Sequence, residues 1–526
     1  MRRLRRGVLW LPMMILWAMF LVPLPAEGTA AAAVLRVPQD HPTIQAAVDA
    51  AAPGDTVLVS PGTYVELIDF LGKEITVEST DGPATTIIDG NQAGTVVTIN
   101  AGADQTPVLR GFTVRNGSGE TGIFTQNGPA LIEGNRVTGN SICSGAIQAA
   151  FSAATIRNNV ISGNHPNCSG GVGGGGIAVR GAGTVTVADN LITDNSSSFD
   201  GGGIALFAAG TPVISNNVIS NNSAASFGAG GGISMFNLSD ALITNNIIVG
   251  NTAGQGGGIY WLVPSGDRGP IVMNNTIADN GGSAVIADGF DVAARLVNNI
   301  LLSSGAQATL HCGDFNDPNP PVIEHNDVVN TGGGPRYGGL CTDRTGLDGN
   351  ISADPAFAAP AAGDYHITPG SPAVDAGRNA GAPTTDIDGD PRPLDGNGDG
   401  IPVVDLGADE LSARDTVPPT ITCAATPATL SPANHRLRPV HVDLSAGDDS
   451  GTVTVTLTSV TSSQPDSGLG RGDVPNDIQG WTTGADDRDG LLRAERFGTA
   501  RGYTLTYLAA DPAGNTATCR TTVTVP

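Results

Sequence analysis

The sequence predicts an all-β chain, a three-sided parallel β-helix of about ten coils followed by a small β-sandwich. Three observations predict it. First, a phrase with asparagine at its fifth and tenth positions recurs along the middle of the chain. It reads LIEGNRVTGN from Leu131, TIRNNVISGN from Thr155, TVADNLITDN from Thr186, VISNNVISNN from Val213, LITNNIIVGN from Leu242 and IVMNNTIADN from Ile271, with weaker copies from Arg295 and Val322. The fifth-position residues Asn135, Asn159, Asn190, Asn217, Asn246, Asn275, Asn299 and Asn326 stand 24 to 31 residues apart, a period that marks a stacked-repeat architecture. Second, the apolar residues within a repeat are mostly Val and Ile at period two, broken by Gly and Asn, the pattern of short strands between tight turns. Third, TVTVTLTSV, YTLTYLAAD and RTTVTVP near the C-terminus alternate apolar and polar residues between turn signals, which favours two packed antiparallel sheets.

In chain order, residues 1–33 read as a secretory signal. Arg2, Arg3, Arg5 and Arg6 form its basic region, Val8 to Val22 its apolar core, and Ala26 to Ala33 its cleavage options. No later stretch is apolar and long enough to span a bilayer, so the expectation is a secreted or cell-surface protein with no transmembrane segment after signal cleavage. The β-helix is expected over residues 34–355. It opens with PTIQAAVDAA, Pro42 to Ala51, a short amphipathic helix with Ile44, Ala47 and Val48 on one face. Laid over the open end of the coil, such a helix covers exposed strand edges. The stretch TIQAAVDAAAPGDTVLVSPGTYVE resembles the opening segment of the pectin lyase-like superfamily of right-handed parallel β-helices, and the resemblance runs from about Leu35 to Ala353. It implies a right-handed coil with any chemistry on the outer face of one sheet.

A repeat of 24 residues divides into three strands of about five residues and three turns. Coils stacked about 4.8 Å apart give a rod on the order of 50 Å long. Asn tolerates the left-handed backbone of a sharp bend, and its amide can bond the same residue one coil away. Asn135, Asn159, Asn190, Asn217, Asn246, Asn275 and Asn299 are therefore read as a structural ladder. The glycine clusters at Gly173–Gly176, Gly201–Gly203, Gly230–Gly232 and Gly256–Gly258 are read as positive-φ positions entering the next strand. With no following Lys or helix they lack the context of a phosphate loop.

Six cysteines suit an oxidising compartment. Cys143 and Cys168 fall at nearly the same place in consecutive coils, Cys312 and Cys341 near the end of the helix, and Cys423 and Cys519 around the C-terminal domain. These are the expected pairs. The absence of CxxC or a Cys/His cluster argues against a cysteine metal site. The formal charge is −24, with Lys73 the lone lysine. Nucleic acid is disfavoured as a partner, because that affinity needs clustered Lys and Arg. An anionic polysaccharide would need bridging cations.

Residues 356–414 are expected to terminate the helix. Within them Asp395–Gly–Asn397–Gly–Asp399–Gly400 matches the start of a calcium loop, with oxygen ligands at positions one, three and five and the Ile401 carbonyl at seven, while Leu406 stands at twelve where an acid is expected and Asp405 sits one place early. Asp386, Asp388 and Asp390 repeat the spacing upstream. Calcium is thus the expected cofactor, in a structural role. The segment resembles the SPA-DAG…D-DG-PRP…D-GA-E terminal signature of bacterial surface-anchored β-helix proteins. Residues 415–526 form the sandwich, whose DTVPPTITC and DPAGNTATCRTTVTVP resemble hyalin-repeat and bacterial Ig-like domains. Arg471–Gly472–Asp473 is read as a chance tripeptide.

Three functional readings follow: a binding protein, a polysaccharide-degrading enzyme of the resembled fold, and a structural surface spacer or adhesin. Enzymes of the resembled fold work on uronate or other polysaccharides, but a lysine-based lyase is disfavoured with Lys73 alone. Asp194 and Asp279 share a column three coils apart, too far for the roughly 5–9.5 Å that a hydrolase pair requires. Glu133 and Arg157 in adjacent coils read as an ion pair. No catalytic residues are assigned; the remaining candidates are Asp288, Asp291, Glu324 and His325, with Arg295, His311 and Asp327 nearby in sequence. The binding reading rests on GGGIALF, GGGISMF and GGGIYWL, which align Ala205, Ser234 and Tyr260 in one outward column and Phe207, Phe236 and Leu262 in the next, with Arg180 preceding Phe207. Arg180, Phe207, Phe236 and Tyr260 are the predicted ligand-binding residues, forming a platform on which aromatic rings cover pyranose faces. The expected partner is a polysaccharide or surface glycan.

Overall fold

A computed structural model describes residues 31–526 except 169–172, 263–267, 290–292, 314, 316–318, 412–416, 449–451, 468–471 and 512–513. The secretory signal, but for its last three residues, and Arg471 lie outside the described residues. The repeats form a parallel β-helix in which each coil gives one strand to each of three sheets. Sheet 1 has twelve strands, from Val34–Val37 to Val322–Glu324. Sheets 2 and 3 have eleven each, running from Gly62–Val65 to Asp327–Asn330 and from Ile68–Asp69 to Tyr337–Gly339. The helix is thus one coil longer than the repeat count suggested. The strands are only two to four residues long, so one or two side chains in each point into the coil. In sheet 1 these include Val57, Val77, Leu109, Ile132, Ile156, Val187, Ile214, Ile243, Val272 and Leu296, all fully buried. Apolar area removed from water in this stack is worth about 25 cal/mol per Å².

The corner between sheets 1 and 2 is built by two adjacent residues with separate jobs. The first takes the left-handed conformation: Gly134, Asn158, Asp189, Asn216, Asn245, Asn274, Asn298 and His325 all have φ between 51° and 63°. The second is the ladder asparagine. The backbone N–H and side-chain amide of Asn217 both donate to Oδ1 of Asn246 at 2.9 Å, and Asn190 does the same to Asn217 at 3.0 Å. The chain of bonds runs from Asn135 through Asn326 to Asn350. The ladder residues therefore do not themselves supply the bend. A second ladder, Asn140, Asn164, Asn195, Asn222, Asn251 and Asn280, lines the next corner and comes from the tenth position of the phrase. Asp194 and Asp279 are bend residues of that corner, at φ 56° and 53°.

The glycine clusters also divide their work. Only Gly201 of its triplet has positive φ, at 62°. A Cβ on Gly202 or Gly203 would sit 2.5 or 2.7 Å from a carbonyl oxygen of the next coil. Those positions are glycine because two backbones stack there, which corrects the expectation of positive φ throughout.

The N-terminal helix spans Ile44–Ala50, is capped by Thr43, and buries Ile44, Ala47 and Val48 as anticipated. Glu66 accepts its first N–H groups, from Ile44 and Gln45, and the ammonium of Lys73 donates to the carbonyls of Val48, Asp49 and Ala51 at its far end. The lone lysine thus satisfies orphan helix carbonyls.

Residues 356–411, expected to close the end of the helix, run as a strap along the outer face of sheet 2. Tyr365 and Ala408 pack on Ile247, Val249 and Ala278, while Ile367, Ala373 and Leu406 pack on Ile300. The Tyr365 hydroxyl donates to Asp279 at 2.8 Å, Asn245 donates to Thr385 O, and Asn274 to Asp405 O. Sheet 2 strands away from the strap have an exposed first residue, as in Arg136–Thr138 and Leu191–Thr193, whereas Ile247–Val249 and Thr276–Ala278 are buried on both faces. Beyond the strap, two antiparallel sheets share a core of Val440, Val442, Leu457, Leu492, Tyr503, Leu505, Tyr507 and Val523.

All three expected disulfides are present. Their Cα–Cα separations are 5.8 Å for Cys143–Cys168, 5.2 Å for Cys312–Cys341 and 6.0 Å for Cys423–Cys519. No helix among the described residues is long and apolar enough to cross a membrane.

Candidate functional site

Sheet 3 carries the outward columns that the sequence predicted, in the predicted register. Ala205 pairs with Ser234 and Ser234 with Tyr260, while Arg180, Phe207, Phe236 and Leu262 follow one another in the next column. Trp261 points inward and is fully buried. Alignment did not bring exposure, however. Ser234 is fully covered and Tyr260 is only 7% exposed, because the glycine-rich segments fold over this column. A Cβ on Gly230 would lie 2.8 Å from Ser234, and one on Gly256 would lie 3.3 Å from the Tyr260 side chain. Tyr260 is therefore packing for Phe236, at a ring-centroid distance of 5.6 Å and 39° between planes, and not an open platform. Burial, and then the nearby carboxylates of Asp288 and Asp200, push its hydroxyl up to about 12.

The open part of the face lies toward the N-terminus. There a groove of about 780 Å³ is lined by Phe124, Gln148, Phe151, Arg180, Phe207 and Leu238, with Glu120 at one side. Arg180 and Phe207 are thus brought together, while Phe236 is half-buried beside them and Tyr260 is withdrawn. Among the described residues, the Arg180 side chain has no ion-pair partner. Phe151 is 68% exposed at φ +50°, with its ring against Gly181, where an added Cβ would come within 2.4 Å. A bulky residue in the left-handed region is an outlier costing on the order of 1–3 kcal/mol. Phe124, Gln148 and Phe151 were missed in the sequence because they belong to coils without the GGGI signature. Their signal was positional: Phe124 and Gln148 share the column of Ala205, and Phe151 directly follows its strand.

The late candidates do not converge. Asp288 ends a sheet 3 strand, accepts the Phe315 N–H at 2.8 Å, and shares a pocket of about 360 Å³ with His311 from the adjacent coil. Glu324 and Arg295 are on sheet 1, where Glu324 pairs with Arg378 of the strap. His325 is a corner residue at φ 51°, and Asp327 is a fully buried member of sheet 2 that accepts the Ala353 N–H at 3.0 Å. Asp291 lies outside the described residues. Three sheets facing three directions cannot present these groups to one substrate. Glu133 and Arg157 form the expected ion pair at 2.7 Å, extended by Arg110 and Glu78 along sheet 1.

In the strap, Asp395 accepts the N–H groups of Gly398, Asp399 and Gly400, Asn397 accepts that of Asp399, and Asp399 accepts that of Ile401. These oxygens thus close one tight loop over residues 395–401 through its own backbone N–H groups. Asp405 does not belong to it. It is fully buried, its two oxygens accept the N–H groups of Asp375 and Leu411, and burial pushes its carboxyl up to about 7. Asp386 and Glu410 are used in the same way, holding the N–H groups of Asp388, Asp390, Leu394 and Asp405. Buried Arg392 donates to the carbonyl of Gly407 and lies 3.5 Å from Glu410. Much of the strap's acidity therefore replaces secondary structure as a partner for backbone N–H groups.

Residues 95–267 match a family model described as a right handed beta helix region, a stretch that contains the whole groove lining. No curated protein is similar enough to the chain to count as a match.

Proposed function

We propose that this chain, a right-handed parallel β-helix of the pectin lyase-like kind, is an exported protein that binds a glycan in the sheet 3 groove. The observation that carries the reading is Phe151, a strained aromatic displayed to solvent beside Phe207 and Arg180. The same left-handed bend recurs in neighbouring coils at Asn127, Gly181, Ala208 and Asn237, so what argues for use is a phenylalanine at a bend that favours Gly or Asn. Phenyl rings cover the apolar faces of sugars, Arg180 supplies donors for hydroxyl or carboxyl oxygens, and the groove is already open. Export is supported by the basic-then-apolar N-terminus and the three disulfides. A glycan array probed with the exported chain tests the reading: saturable binding to a defined subset is expected, and a blank array contradicts it. A polysaccharide-degrading activity has one supporting feature, the Asp288–His311 pocket, and predicts release of reducing ends or unsaturated uronates that Asp288→Asn abolishes.

Calcium is assigned a structural role at Asp395, Asn397, Asp399 and the Ile401 carbonyl, without Asp405. Adding calcium to the metal-free chain is expected to raise its melting temperature and to leave that of the Asp395→Asn variant unaffected. An unchanged melting temperature in the parent chain removes the assignment.

A further inference from the structure

The strap holds three side chains that neither the groove nor the calcium loop uses. His366 belongs to the hairpin strand Asp364–Ile367, Asp388 to the turn closed by Asp386, and Asp409 to the segment just after Leu406. One ring nitrogen of His366 and one oxygen from each carboxylate lie within 4.8 Å of one another.

The surroundings prepare these groups as ligands. Asp364 Oδ1 is 2.6 Å from His366 Nδ1, so Nδ1 carries a proton and Nε2 faces Asp388 Oδ2 at 2.7 Å. A carboxylate behind an imidazole is the usual outer support of a metal-bound histidine. Asp409 is only 9% exposed, and one of its oxygens accepts the Ile367 N–H at 2.8 Å. Its other oxygen has no hydrogen-bond donor among the described residues. The Asp388 backbone is fixed by Asp386, whose second oxygen accepts the Glu410 N–H and ties the turn to the Asp409 segment. His366 and Asp388 are partly exposed, which leaves a path from solvent.

We propose that His366, Asp388 and Asp409 form a binding site for a divalent transition cation, of which zinc is the best fit, clamping three segments of the strap. An imidazole nitrogen with two carboxylates suits zinc and disfavours calcium, which takes oxygen ligands only. Three protein ligands leave one position for water. The cation takes the place of the proton between Nε2 and Asp388. The site is separate from the loop at Asp395 and does not depend on it.

Calorimetric titration of zinc chloride into the full exported chain, with millimolar calcium present throughout, tests the proposal. One saturable zinc per chain is expected. His366→Gln and Asp388→Asn should each abolish it, and Asp364→Asn should weaken it by about 10–100-fold as an outer-support residue. Asp395→Asn should leave the titration unchanged. Cobalt in place of zinc gives a visible absorption band that reports the coordination directly, and metal-free melting curves establish that each variant is folded. Absence of saturable zinc binding overturns the proposal, as does equal binding by the folded His366→Gln and Asp388→Asn variants.

Discussion

Asp327 shows how a single side chain sets a pH dependence. It is fully buried on sheet 2, and only one of its oxygens has a hydrogen-bond partner. Burial, reinforced by Asp354 and opposed by the Ala353 N–H, raises its carboxyl from 3.8 to about 7. The folded chain therefore holds a proton that the unfolded chain releases, so this group's contribution to stability falls as pH rises from about 4 to about 7 and stays low above that. Asp327→Asn should remove a penalty on the order of a few kcal/mol at pH 8 and little at pH 4. Melting curves of the two proteins at both pH values check this, and an equal shift at both would refute it. At the same scale, Asn, His and Asp residues at the corners divide between bending the chain and laddering it. The sequence phrase made the ladder legible because period alone aligns it. It did not separate the two jobs, since Asn serves both.

At the scale of elements, the ladders set the cost of a defect. Replacing Asn217 by Ala removes the acceptor of two Asn190 donors and the donor to Asn246, all in a dry corner. Each orphaned buried donor costs about 1–3 kcal/mol, so a loss of several kcal/mol is expected. Hydrogen exchange should quicken chiefly in the coils of Asn190 and Asn246, because a solenoid contacts only its neighbours; uniform quickening along the helix would contradict this. The strap was the element least legible beforehand. It has no periodicity, and its contacts reach back more than a hundred residues to Asn245 and Asn274. A trace did exist: Ile247–Val249 is apolar at every position, whereas Leu191–Thr193 is not. That marks a sheet face needing cover without saying what covers it.

For the whole molecule, the repeat determined which residues share a face, and the loops determined which of them remain accessible. Arg180 and Phe207 aligned as expected and stayed open, while Tyr260 aligned and was covered. Exposure depends on where irregular segments return, which the period does not encode; for the same reason Phe151, just past its strand, was identified by its exposure in the groove. The late acids, close in sequence, were dispersed by the same coiling that gathers residues a full repeat apart. Calorimetric titration of a glycan identified on the array into the parent chain and into Phe151→Ala and Phe207→Ala tests the groove most directly. Each substitution should weaken binding at least about tenfold, or ~1.4 kcal/mol, with the melting temperature of Phe151→Ala little changed, because Ala keeps a Cβ at the same left-handed position. Equal affinity in both folded variants would place the binding face elsewhere.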